Sequence, residues 1–576
     1  MTTFIFDVLK DLQNSNANLS KLTFVLPSKR AGLFLKNQIS SVTNQTIFSP
    51  QIISIEEFVE DLSQIKTISN TELLFEFYNA YTQLTPKEQT DSFDVFSKWA
   101  QILLQDFNEI DRYLIPQEQI FDYLSAIQDL KHWSVEKEKT EFVKNYLSFW
   151  NKLHKYYTLF TEQLLNKDIG YQGLIYREAA RKIESYIKNN PKKQHVFLGF
   201  NALNTAEETI IQELLKNNLA KAYWDIDKVF INDAIHDAGL FTRQHRADWN
   251  YFKKHPFNWV TSHYSEPKNI NVIGIPKLIG QAKYIGQLLE ELQVTNKKLT
   301  STAVVLGEEN LLIPVLNSIP SSIEKLNVTM GLPLNSIPLA SLFEQLFLIH
   351  KSNQDKYYYK DVINILSHPS LYPLFKSNTE NDARLIIDYI QNNNVVFLTV
   401  KDLKSLSNLH VELIELVFKS WQDNPEMALK NCANLIFKMK LFYDENKQNN
   451  RLNLEYLYRF NSLFNQLIAL NADYKYINSI AVLQSIYNEL LSTETLDFKG
   501  EPLEGLQIMG MLESRVLDFE TVIISSVNEG ILPSGKTNNS FIPFDVKIEN
   551  KLPTYKEKDA VYTYHFYRLL QRAKNV

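Results

Sequence analysis

LTFVLPSKRAGLFLKNQI, residues 22–39, is the stretch from which the fold class can be read. Its first five residues, Leu22 to Leu26, form an apolar run that stops at Pro27, and an amphipathic stretch from Ser28 to Ile39 follows; the pattern is strand, tight turn and helix. Gln51 to Ile55 leads directly into Glu56 to Leu62 and repeats the step. Strand signals then vanish. Ser69 and Glu72 stand at capping-box spacing, and Leu73, Leu74, Phe77, Tyr78 and Tyr81 share one helical face. Phe93, Phe96, Ala100, Leu103, Leu104 and Phe107 continue the period, which persists to about Lys188. Strand chemistry returns at His195 to Leu198 and Lys221 to Asp225, with a helix at Ala206 to Leu215 between them. From Asn269 a second set is expected: strand 270–275, helix 278–292, strand 302–306 and helix 309–318. A second helical region, Ser341 to Leu491, precedes strands at Gln507 to Met511 and Thr521 to Val527 and an amphipathic segment from Tyr562 to Lys574. Alternating β and α elements imply parallel sheets covered by helices, so the expected fold is helix-rich α/β with two lobes, each interrupted by helices.

Composition agrees with a folded, multidomain chain. At 576 residues it exceeds the size at which a single core stops growing. Hydrophobic residues make up 44% and charged residues 22%, an ordinary globular balance. A single cysteine, Cys432, excludes a disulfide framework or a Cys-based zinc site made by this chain alone, and implies a reducing, cytoplasmic setting. No apolar run reaches the length of a membrane span, and the N-terminus lacks a secretory pattern. The net charge of −6 does not announce a nucleic-acid binder, so any such surface must be local.

Four segments resemble superfamily 1 DNA helicases of the UvrD and RecB kind. VLPSKRAGLFLKNQI, Val25 to Ile39, is similar to the strand and helix that touch single-stranded DNA in that family. HVFLGFNALNTAEETIIQELL, His195 to Leu215, resembles the Walker B strand and its helix. GMLESRVLDFETVIISSVNEGILP, Gly510 to Pro533, resembles motif V. YRLLQRA, Tyr567 to Ala573, resembles motif VI, whose arginine reaches the ATP γ-phosphate. Within that group the chain looks like AddB-like subunits of helicase-nuclease complexes, and more narrowly like PD-(D/E)XK nuclease family proteins in which a degenerate helicase body precedes a C-terminal nuclease. The resemblance implies two RecA-like, P-loop NTPase-type lobes. The first would comprise 1–65 and 190–265, interrupted by a helical insertion at 66–189; the second would comprise 266–345 and 500–576, interrupted at 346–499.

Departures from the active pattern decide what such a body can do. An ATPase of this fold needs a Gly-rich loop, a lysine on the phosphates and a carboxylate for Mg²⁺. The residues before Leu22 contain neither glycine nor a Lys-Ser/Thr pair, and Leu198 and Gly199 stand where an active enzyme carries Asp and Glu. Arg572 remains, but an arginine alone neither binds nor cleaves ATP. GILPSGKT, Gly530 to Thr537, matches the P-loop expression, yet Pro543 falls where a second helical turn should run, and the match lies at the motif V turn. Lys536 is therefore not expected to cradle a phosphate. Asp106, Glu109 and Asp111 have a carboxylate chemistry suited to hard cations, but read as a solvated acidic face. The acid-x-lysine half-motifs at Asp402, Glu445, Asp545 and Glu549 lack the strand context of a nuclease. No histidine spacing suits zinc, and aromatic residues at helical spacing are expected in the core.

The expected DNA contacts are Ser28, Lys29 and Arg30 at the start of a helix that directly follows a strand, and Arg515 in the motif V loop. The expected function is an inactivated, helicase-like DNA-binding scaffold in double-strand-break repair. It would hold single-stranded or end DNA and work with an AddA-like motor, while the parent protein carries the nuclease. No catalytic residue, metal or cofactor is expected in the segment itself. A structural, protein-interaction subunit without DNA contact is the competing expectation.

Overall fold

The computed structural model of the protein describes residues 2–43, 46–131, 141–257, 259–295, 299–352, 355–377, 380–448, 450–498, 503–533 and 539–576. It is a helix-rich α/β structure with two compact units. One contains Met1–Ile68, Ile102–Met330 and Asp497–Val576; the other contains Ser69–Gln101 and Gly331–Leu496. The stretch 66–189 is thus divided between the units. Among the described residues no helix is long and apolar enough to cross a membrane.

The first unit is organised by two parallel sheets of four strands each. In the first sheet these are β1 (Leu22–Leu26), β2 (Gln51–Ser54), β3 (Gln194–Leu198) and β4 (Ala220–Tyr223), in the order β2-β1-β3-β4. In the second they are β5 (Thr302–Leu306), β6 (Leu326–Val328), β7 (Leu506–Gly510) and β8 (Thr521–Ile524), in the order β8-β5-β7-β6. The registers fix which side chains share a layer: Phe24 pairs with Ile52 and Val196, and Val304 with Ile508 and Ile523.

Side chains alternate across each sheet, so neighbouring residues enter opposite cores. Phe24, Leu26, Val196 and Leu198 pack with Phe4, Val8, Ala31 and Leu35 from helices α1 (Phe4–Asn14) and α2 (Lys29–Val42). Val25 and Phe197 face the other way. They pack with Phe58, Ile175 and Ile210 from helices α3 (Ile55–Ser63), α4 (Gln172–Asn189) and α5 (Thr205–Lys216). In the second sheet Val304 and Ile508 meet Ala282, Ile285 and Leu289 of helix α6 (Leu278–Val294). Val305 and Met509 meet Leu569 of helix α7 (Tyr555–Gln571). Strands buried on both faces explain why their sequences run apolar rather than alternating.

The second unit is helical, with two short antiparallel β-ribbons. Its longest helices include Pro425–Asp444 and Arg451–Tyr474. Phe343 lies 4.8 Å from Phe464 and 5.7 Å from Phe460, and Cys432 is buried, so the aromatic and thiol groups here serve packing.

Several expectations need correction. Residues 270–275 do not form a regular strand; the backbone pairs only at 269–271, against the C-terminal residues 574–576. The strand expected over Thr521 to Val527 ends at Ile524. The helix expected over 309–318 is a 3₁₀ turn, Glu309–Leu311, followed by the short helix Leu312–Leu316, which contains Pro314. Helix α1 and strand β6 were not foreseen.

Candidate functional site

In a parallel sheet the loops that follow the strands are the usual seat of ligands, because helix N-termini point there. At that edge of the first sheet stand Ser28 after β1, Ser54 at the end of β2, Gly199 after β3 and Asp225 after β4. Facing them are the 511–518 loop and helix α7.

Leu198 and Gly199, at and just after the end of β3, are packed shut. Leu198 is fully buried. Gly199 has φ +65°, and a Cβ there would stand 2.7 Å from Cγ2 of Val516. Only glycine suits this combination of left-handed backbone and close approach. Val516 itself has φ +67°, a costly conformation for a β-branched residue. The 511–518 loop is thus pressed onto the end of β3.

Beside this contact lies a buried ionic cluster. Arg568 Nε lies 2.7 Å from Asp225 Oδ2, and Arg568 Nη2 lies 2.9 Å from Asp518 Oδ1. Arg572 Nη1 lies 2.8 Å from Asp225 Oδ1 and 3.4 Å from Asp518 Oδ1. All four side chains are at most 2% exposed. Arg568 Nη1 also donates to the carbonyls of Ser514 and Leu517, and the Tyr564 hydroxyl donates to the Asp225 carbonyl. The remaining Asp518 oxygen, Oδ2, accepts from the backbone N–H of Phe4, the first residue of α1, at 2.8 Å. Arg572 lies over the Phe4 ring at 5.8 Å.

Burial alone would lower both guanidinium pKa values. The two carboxylates more than offset it, so both arginines lie above their ordinary value. Burial pushes Asp225 up, but Arg572 and Arg568 hold it below the usual carboxylate range. The chemistry is that of an oxyanion site, with a helix N-terminus and two arginines converging on one negative group. Here that group is the protein's own Asp518 carboxylate.

The DNA-contact residues fall into two sets. Ser28 caps α2, its hydroxyl accepting from Ala31 N–H at 3.3 Å. Lys29 is exposed and pairs with Glu57 at 3.0 Å. Both line a shallow cavity of about 370 Å³ with Leu33, Lys36, Ile53 and Glu57, and Phe48, 90% exposed, lies close by in sequence to the cavity residues Ser49 and Pro50. Arg30 turns inward instead, donating to Thr329 Oγ1 at 2.9 Å and Gln507 Oε1 at 2.7 Å. Burial lowers its pKa to about 10, so it stays charged at neutral pH. Arg515 is half-buried. Arg30 and Arg515 both act electrostatically on Glu513, and Arg515 also acts on Glu207. Arg30 and Arg515 therefore lie within electrostatic reach of one carboxylate, Glu513, and Lys29 lines the cavity.

Asp106, Glu109 and Asp111 do not form the solvated face expected of them. Asp106 is 2% exposed and accepts from Ser540 Oγ at 2.5 Å and Phe541 N–H at 2.7 Å. Asp111 is fully buried against Arg177, 2.7 Å away, and the Tyr157 hydroxyl, 2.6 Å away. Glu109 pairs with Lys547 at 2.7 Å. Spacing placed the three on a helix, but periodicity does not say what packs over that helix. Asp402 completes a capping box with the N-cap residue Thr399 at the start of the helix Val400–Leu406. Lys536 of GILPSGKT lies outside the described residues. Among the described residues, no group of three or more His, Cys, Asp or Glu is placed to hold a metal.

Sequence reasoning missed Asp225, Asp518 and Arg568. One signal was available: Arg568 and Arg572 are four apart, hence on one face of a helix, and two cations on an otherwise buried face require anions. Comparison with family models and with curated proteins gives no match to this chain.

Proposed function

We propose that the chain is a non-motor, helicase-like body that holds single-stranded DNA for a nuclease. The two parallel sheets are read as degenerate RecA-like lobes of an AddB-like protein in double-strand-break repair. A PD-(D/E)XK nuclease further along the parent polypeptide would do the cutting, and an AddA-like subunit would supply the motor. The observation that carries the reading is the Asp518 carboxylate at the N-terminus of α1, between Arg568 and Arg572. In a nucleotide-driven lobe pair, phosphate oxygens would take that position and leave after hydrolysis. A covalently attached carboxylate stays, so the seam between the sheets has no nucleotide to respond to.

DNA would be held where the same edge is open. Ser28, Lys29 and Lys36 offer a capped helix start and two exposed cations for phosphates, and Phe48 offers an exposed ring for a base. Arg30 and Arg515 serve the seam between the sheets in this reading. Fluorescence anisotropy with labelled single-stranded DNA at several salt concentrations tests it. Wild type should bind with a steep salt dependence, and Lys29→Ala with Lys36→Ala should weaken binding and flatten the slope. No binding at low salt sinks the DNA reading. The protein-interaction reading would then take its place, favoured by the exposed apolar residues Ile270, Val272 and Ile273.

A further inference from the structure

The helical unit holds a cavity of about 260 Å³ where three helices meet. Its floor is apolar. Leu74 and Phe75 come from helix Asn70–Leu84, Phe93 opens helix Phe93–Arg112 and Ile486 comes from helix Ile480–Thr493; all four are buried. The Phe75 and Phe93 rings stand 4.6 Å apart, and Phe75 also meets Tyr474 at 5.3 Å. The floor is thus one side of a packed aromatic cluster.

The walls are polar, and their charges are opposite. Lys98 and Gln101, three apart on helix Phe93–Arg112, line one wall; Ser485 and Glu489, four apart on helix Ile480–Thr493, line another. Residues at those spacings share a helical face, so each helix turns one charged and one neutral group toward the same space. Among the described residues neither Lys98 nor Glu489 forms an ion pair. Thr71, only 3% exposed, also lines the cavity, and its hydroxyl has no hydrogen-bond partner among the described residues. An apolar pocket with a few convergent polar groups is the usual form of a small-molecule site.

We propose that this cavity binds a free amino acid with a large apolar side chain. The floor takes the side chain, Lys98 with Gln101 takes the α-carboxylate, and Glu489 with Ser485 takes the α-ammonium. The Thr71 hydroxyl, both donor and acceptor, serves either head group. Charge selects this class of ligand: a zwitterion answers both walls at once, whereas a nucleobase or a fatty acid leaves at least one of them unmatched. Size agrees. At about 30 Å³ per water-sized group the cavity holds roughly nine such groups, about the size of leucine. The site lies wholly within the helical unit and does not rest on the DNA reading.

Calorimetric titration of the full chain with leucine, phenylalanine and thymidine tests it. The two amino acids should bind saturably, and thymidine should not. Lys98→Glu, which turns one wall against the carboxylate, and Glu489→Gln should each weaken leucine binding at least tenfold. Removing either head group from the ligand, in isocaproate or isoamylamine, should do the same on the wild-type chain, since a site built to pair a polar group rejects the analogue lacking it. Lys98 is exposed and Glu489 half-buried, so both variants should keep the fold, and the ligand series repeats their test without mutation. Binding of thymidine in place of the amino acids, leucine affinity indifferent to both charges, or no saturable heat at millimolar ligand would each overturn the proposal.

Discussion

Helices α1 and α2 pack side by side on the first sheet, and both begin at the edge where the strands end, but their N-termini are used differently. That of α1 is sealed: Phe4 N–H meets Asp518, and two buried arginines close around the same carboxylate. That of α2 is open, with Ser28, Lys29 and Lys36 on a shallow cavity and one exposed ion pair to Glu57. Both helix starts attract anions for the same physical reason. At α1 a buried carboxylate fills the helix start and serves cohesion between the sheets; at α2 the Glu57 carboxylate pairs with the exposed Lys29 and the cavity beside it stays open. The difference teaches that charge at a helix start says little about function until its partner is known.

The comparison can be broken most forcefully at the sealed end. Arg568→Met should leave Arg572 alone to balance Asp225 and Asp518 in the interior and cost about 3–5 kcal/mol in urea unfolding, the usual result of breaking a buried pair from one side. Lys29→Met, at the open end, should stay within about 0.5 kcal/mol of wild type. Equal effects would mean that the two sites do not differ as described.

Next in size is Gly199→Ala. The added Cβ meets Val516 and the backbone is left-handed, so a loss of about 1–3 kcal/mol is expected. A neutral result would show that the 511–518 loop is not pressed onto β3.

Asp106 sharpens the comparison through pH. Burial pushes its carboxyl up to about 6, against the opposing Ser540 hydroxyl, the Phe541 N–H and Lys547. The folded chain then binds this proton more readily than the unfolded one. Its contribution is greatest below about pH 4, the ordinary carboxylate range, and falls as pH rises through about 6. Asp106→Asn should remove that slope. Relative to wild type, the variant should gain up to about 3 kcal/mol between pH 4 and 7, less whatever the carboxylate hydrogen bonds contribute. A difference independent of pH would contradict a buried, protonatable Asp106.

The smallest effect on stability belongs to Lys29→Ala with Lys36→Ala, whose consequence should lie in binding. Each lost phosphate contact should flatten the dependence of log affinity on log salt by about 0.7. Unchanged slope and affinity would place the DNA elsewhere.

Much of this architecture was legible from local pattern. β1, β3 and β5 lie where Leu22 to Leu26, His195 to Leu198 and 302–306 pointed, because strands buried on both faces leave short apolar runs. Residues 270–275 misled for the same reason: the apolar pattern is present, but a strand exists only with neighbours on its edges. β6 was missed because it has three residues. The start of the site was visible in Ser28 and Lys29, since a capped helix after a strand is a local feature. The sealed cluster was not, because Phe4, Asp225, Asp518 and Arg572 are far apart in sequence and meet only once both sheets are assembled. The same limit hid the partners of Asp106 and Asp111, which come from Ser540, Phe541, Tyr157 and Arg177.

Calorimetric titration of the wild-type chain with Mg-ATP tests the central claim most directly. If Asp518 permanently holds the position between α1, Arg568 and Arg572, no heat of binding should be seen, with or without single-stranded DNA. Micromolar affinity for Mg-ATP would contradict the account.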